Sequence, residues 1–164
     1  MIFVKRYLTP PLLAIALYSV IHLVTGGGNY FTPGLAFAIL YALLIRLCDD
    51  MGDYERDLAD GRAVLKMPVL ISLCLSFSVI YLALIFILAK PFMAVAPVVV
   101  FSQFLLPEKH RDVIKPLFMP AAVVGIATSF FTLCPAIWIF CAILLIADIV
   151  IIFYKRSKAK GTDK

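Results

Sequence analysis

Charge is what this sequence has least of. Only 15% of its residues are charged, against about 25% in soluble domains, while 63% are hydrophobic. No polar stretch is long enough for a separate soluble domain. Histidine occurs twice and cysteine four times. Cys48, Cys74, Cys134 and Cys141 stand at no metal-ligand spacing, which excludes a zinc framework. Lying in or beside apolar runs, they read as small packing residues with no disulfide scaffold. Gly26-Gly27-Gly28 lacks the strand and helix context of a phosphate loop and reads as a tight external turn. His22 reads as a packed or interfacial histidine.

What the chain has in abundance is apolar length. A mean hydropathy of +1.04 over 164 residues describes an integral membrane protein, expected to be an all-α bundle of about six transmembrane helices in a single domain, 1–164. The apolar segments are 10–25, 33–47, 68–88 and 92–106, with Pro97 expected as a kink and Pro107 as a stop. The stretch 116–154 is too long for one span and divides at Thr132-Leu133-Cys134-Pro135. Residues 1–7 do not read as a cleavable signal, because the apolar segment behind them is of full membrane length.

Basic residues orient the bundle. With six spans and an inner N-terminus, Lys5 and Arg6, the group Arg46 to Lys66, the group Lys109 to Lys115 and the tail 155–164 all fall on the cytoplasmic side. Lys90 alone falls outside. Positive-inside bias therefore predicts N-in and C-in topology. The net charge of +5 is accounted for by topology and anionic membrane lipid, so no nucleic-acid partner is expected.

The charge that remains is concentrated. Arg46-Leu-Cys-Asp49-Asp50-Met-Gly-Asp53-Tyr-Glu55-Arg56-Asp57-Leu-Ala-Asp60 holds six of the ten carboxylates, at the end of the second apolar segment. On a helix, Arg46, Asp50, Asp53, Asp57 and Asp60 share an arc of roughly 80°. Like charges at i,i+3 and i,i+4 repel, so folding alone would spread them. The stripe asks for a divalent cation, and oxygen-only ligands favour Mg²⁺. Asp148, inside the last apolar segment, either faces this site or is neutralised by a neighbour.

Asp49-Asp50-x-x-Asp53-x-x-x-Asp57 resembles the first aspartate-rich motif, N-D-x-x-D-x-x-x-D, of the UbiA-type intramembrane prenyltransferases. Lys5-Arg6-Tyr-Leu-Thr-Pro-Pro is similar to that family's basic-then-proline entrance to its first helix, and Lys66-Met67-Pro68 to its Arg-Pro before the third. The resemblance covers about residues 1–70 and departs at Asp49, where the family has Asn. It implies a membrane enzyme that binds a prenyl diphosphate through Mg²⁺ and transfers the prenyl group to an aromatic or other lipophilic acceptor.

In that scheme Asp50, Asp53 and Asp57 are catalytic. Asp49, Asp50, Asp53 and Asp57 ligate metal, and Arg46, Arg62 and Lys66 bind the diphosphate. The family's second motif, D-x-x-x-D after the sixth helix, has no counterpart. Glu108-Lys-His-Arg-Asp112 offers the nearest spacing on the same side, with Glu108 and Asp112 as further metal ligands and Lys109, Arg111 and Lys115 clamping the diphosphate. A homo-oligomer supplying a second stripe is the alternative, disfavoured because two such stripes repel.

Two other readings stand beside this one. Asp57-x-x-Asp60-Gly61 matches the opening of the D-x-x-D-G-x-x-A-R pattern of CDP-alcohol phosphotransferases, but Val64-Leu65 occupy the Ala-Arg positions. A non-catalytic membrane protein, binding lipid or diphosphate or serving as a subunit, would instead pair the acids with Arg46, Arg56 and Arg62.

Overall fold

In the computed structural model, the described residues are 2–26, 29, 32–106, 114–131 and 134–161, and their regular structure is entirely helical. The elements are α1 (Ile2–Val24), α2 (Pro33–Gly52), α3 (Tyr54–Ala59) and α4 (Met67–Ile87). A 3₁₀ turn, Pro91–Ala94, leads into α5 (Val95–Ser102), and another, Gln103–Leu105, leaves it. A third, Lys115–Leu117, opens α6 (Phe118–Phe130), followed by α7 (Pro135–Gly161). Three stretches, Arg6–Val24, Met67–Ile87 and Pro135–Tyr154, are long and apolar enough to cross a membrane. Pro91–Leu105 and Lys115–Phe130 are shorter apolar helices. The length of α2 would suffice, but its last turns carry Arg46, Asp49 and Asp50.

Proline sets most of the starts. Pro33, Pro68, Pro91, Pro116 and Pro135 each stand at the first or second position of their element. There the missing N–H removes no intrahelical bond and the fixed φ suits the helix. The expected division at 132–135 follows, with α6 ending at Phe130 and α7 beginning at Pro135.

Two boundaries differ from expectation. First, α1 begins at Ile2 and runs through Pro10 and Pro11, which deny helical donors to the carbonyls of Arg6 and Tyr7. The extra N-terminal turns lie beside the end of α2, where Arg6 and Tyr7 find polar partners. Second, Pro97 falls in the first turn of α5, and the change of helix type comes before it, between Ala94 and Val95. Pro97 cannot donate to the carbonyl of Met93. The hydroxyl of Tyr81 donates instead, at 3.1 Å, as dry surroundings demand for a freed backbone group.

Helix α2 is central, packing against α1, α4, α5 and α6. Phe37 meets Tyr81 edge-on, with centroids 5.0 Å apart. Tyr41 donates to the carbonyl of Phe118 at 2.8 Å. Gly34 permits the closest approach: a Cβ there would stand 3.0 Å from the Phe130 ring and 3.1 Å from Tyr18. Outward faces are apolar, with Leu23, Phe86, Leu105 and Phe153 all exposed, as suits surfaces turned to lipid. His22 packs edge-on against Phe131, the structural role expected of it.

Candidate functional site

The acidic stripe does not lie on one unbroken helix. Asp53 sits at the junction, with φ −102° and ψ 9°, so that α2 ends at Gly52 and α3 starts at Tyr54. Backbone bonds still bridge the break, from Asp53 N to Asp49 O and from Asp57 N to Asp53 O, both 2.9 Å. The two halves therefore stay nearly in register, and Asp49, Asp50, Asp53 and Asp57 line one open pocket of about 340 Å³ with Arg6, Arg46, Arg56 and Arg62. Gly61, at φ +64°, closes the segment in a conformation that glycine adopts without strain.

Arg6 organises this pocket from the other side. Its Nη2 meets Asp50 Oδ1 at 2.7 Å and also pairs with Asp57 Oδ2, and its Nε reaches Asp50 Oδ1 at 3.1 Å. Its Nη1 donates to the backbone carbonyl of Arg62 at 2.8 Å. One planar fork thus ties α1 to α2, to α3 and to the turn beyond it. Asp50 is further held by Arg46 and by the hydroxyl of Tyr7, which donates at 2.6 Å. Asp50 and Asp57 are 4% and 8% exposed, so these are desolvated charges that need their partners.

The other pairs are peripheral. Asp53 pairs with Arg56 at 2.9 Å, and Asp60 with Arg62 at 2.5 Å. Arg62 also stands 3.4 Å from Asp57. Asp49 accepts from Arg46 at 3.4 Å and from Lys115 at 3.1 Å. The Arg6 guanidinium hydrogen-bonded to Asp57 holds that carboxyl below its usual range. Arg46 Nε is buried and has no hydrogen-bond partner.

The structure thus gathers Asp50 and Asp57 around one point and turns Asp49 and Asp53 toward separate cations. Among the described residues, no three of His, Cys, Asp and Glu converge for a metal. Lys66 is exposed ahead of α4 and does not line the pocket. Asp148 is half-buried on α7 and is not among the residues that line it. Glu108, Lys109, Arg111 and Asp112 lie outside the described residues. Sequence reasoning missed Arg6 and Tyr7 as site residues. Arg6 enters the sequence reading through topology and through the basic-then-proline entrance to the first helix, and its partners in the pocket are 44 and 51 positions away. No family model, curated protein or solved structure matches the chain.

Proposed function

We propose that this chain is a membrane-embedded, UbiA-like prenyltransferase that binds a prenyl diphosphate in the Asp/Arg pocket, with Mg²⁺. The observation that carries the reading is the convergence of Asp50 and Asp57, from two helices, on the single nitrogen Arg6 Nη2. Two buried carboxylate oxygens aimed at one positive centre are hard donors of the kind that would hold Mg²⁺. Four arginines beside four aspartates leave the lining without net charge, so a bare diphosphate gains little by entering it. Held by Asp50 and Asp57, Mg²⁺ would supply the charge compensation and Lewis acidity that loss of an allylic diphosphate requires.

The residues of the chain do the rest. With a cation at Asp50 and Asp57, Arg6 would be able to turn its donors from these carboxylates to phosphate oxygens. Arg46 brings the unmet Nε donor, and Arg62 a third guanidinium with 59% of its side chain exposed. Asp49 and Asp53 hold Arg46, Lys115 and Arg56 at the rim. In the transfer itself, the allylic C–O bond breaks and diphosphate leaves with the bonding pair, while a lipophilic acceptor forms the new bond to that carbon with its own electron pair and releases a proton to water.

In this reading all six apolar segments lie in the bilayer, with both termini and the pocket cytoplasmic. Thiol labelling of an Asp60→Cys variant in intact cells checks that arrangement, since labelling by an impermeant reagent from outside would contradict it. The activity is tested with radiolabelled prenyl diphosphates and total lipid extract in membranes. A Mg²⁺-dependent lipid product lost in Asp57→Asn is expected; no product with any prenyl length would remove the transferase reading.

One observation favours a second reading. Asp49, Asp50, Asp53, Asp57 and Asp60 each already have an ion-pair partner. A non-catalytic membrane protein would use such a network as a clasp on the helix ends. That reading expects Asp50→Asn to destabilise the fold and Mg²⁺ with prenyl diphosphate to leave stability unchanged.

A further inference from the structure

The four cysteines, treated in the sequence as packing residues, are not equivalent in the fold. Cys48, in the penultimate turn of α2, and Cys74, on α4, bring their Sγ atoms to 3.5 Å. Both are buried, Cys48 completely and Cys74 with 5% exposure. They are 26 positions apart, so the contact is made by packing of the two helices and not by local chain geometry. No third ligand joins them: among the described residues no cluster of three His, Cys, Asp or Glu exists. Two thiols in contact without a metal-ligand set have one distinctive chemistry left, two-electron oxidation to each other.

We infer that Cys48 and Cys74 form an oxidisable dithiol pair that closes to a reversible disulfide between α2 and α4 on exposure to a peroxide. A disulfide needs the sulfurs at about 2.05 Å, so closure from 3.5 Å requires them to approach by roughly 1.5 Å. Peroxide needs to reach only one of them. Cys74, the less enclosed, is oxidised to the sulfenic acid as one peroxide O–O bond breaks and water leaves. Cys48 then attacks that sulfur, the S–S bond forms, and a second water carries away the sulfenic oxygen. In total, two thiols lose two electrons and two protons, and one hydrogen peroxide becomes two waters.

The position of this bond in the chain gives it a consequence. The loop from Cys48 to Cys74 contains the whole acidic stripe, α3 and Arg62. Oxidation therefore ties together both ends of the segment that carries Asp49, Asp50, Asp53, Asp57 and Arg62, and anchors α2 at the residue before Asp49. The inference does not depend on what the pocket binds.

The test uses the full chain in lipid nanodiscs. Reduced protein denatured with excess maleimide should carry four adducts. After treatment with hydrogen peroxide it should carry two, with four restored by dithiothreitol, and digestion should yield a peptide linking Cys48 to Cys74. In Cys48→Ser, Cys74 should accumulate as a sulfenic acid trapped by dimedone, with no internal disulfide. Four adducts after peroxide, a linkage through Cys134 or Cys141, or a thiol loss that dithiothreitol does not reverse would each overturn the inference.

Discussion

Arg6→Ala is the substitution that most sharply separates a built site from a collection of surface charges. The side chains of Arg6, Asp50 and Asp57 are 16%, 5% and 12% exposed. Removing one partner from a buried ion pair costs about 3–5 kcal/mol, because the remaining charge stays buried. Here the loss is tempered: Asp50 keeps Arg46 and Tyr7, and Asp57 keeps Arg62 at 3.4 Å. The expected destabilisation is therefore about 2–4 kcal/mol. At roughly 2–4 °C per kcal/mol for a chain of this size, that lowers the melting temperature by about 5–15 °C.

Arg56→Ala is the control. Its pair with Asp53 has side chains 62% and 31% exposed, and screened pairs of that kind contribute about 0–1 kcal/mol. Arg6→Lys should fall between the two, since an ammonium keeps the charge but not the fork that reaches Asp50, Asp57 and the Arg62 carbonyl together. Thermal unfolding of the three variants in one detergent or nanodisc preparation provides the comparison. An Arg6→Ala protein as stable as Arg56→Ala would refute the view that Arg6 holds the pocket.

Gly34→Ala places a methyl group 3.0 Å from Phe130 and 3.1 Å from Tyr18, and overpacking of this kind should cost about 1–3 kcal/mol; a variant that melts with the unsubstituted protein would show that α2 and α6 part easily. Asp57 yields a pH dependence. Its folded-state value is lowered by Arg6, so its contribution is complete above the unfolded value of about 3.9 and disappears as pH falls through the lower folded value. The stability gap between the unsubstituted protein and Asp57→Asn should therefore be constant near neutrality and shrink below about pH 4; a gap that widens with acid would reverse the sign of the argued pairing.

Much of the helical framework was legible because apolar runs and prolines are local signals. Pro33, Pro68, Pro91, Pro116 and Pro135 begin their elements for a reason visible in the residues themselves. Pro10 and Pro11 carried the same signal and misled, since contacts of Arg6 and Tyr7 with Asp50 draw the helix further toward the N-terminus. The acidic stripe was equally visible, as was the chance that Arg46, Arg56 and Arg62 would pair with it. Which carboxylates would be buried was not, because that depends on α1 lying against α2. The spacing of Asp49, Asp50, Asp53 and Asp57 also gave no sign that Asp53 would end a helix, nor that Lys115 would take Asp49 as a partner.

Equilibrium binding is the sharpest probe of the proposed Mg²⁺-dependent seat for a prenyl diphosphate at Asp50 and Asp57. Radiolabelled farnesyl and geranylgeranyl diphosphate would be titrated onto the protein in nanodiscs, with and without Mg²⁺, alongside Asp57→Asn. Saturable binding of at least one of them that requires Mg²⁺ and is lost in Asp57→Asn is expected, because the neutral pocket binds metal and diphosphate together and either one alone only weakly. Absence of saturable binding, or binding unchanged by removal of Mg²⁺ and of the Asp57 charge, would contradict it.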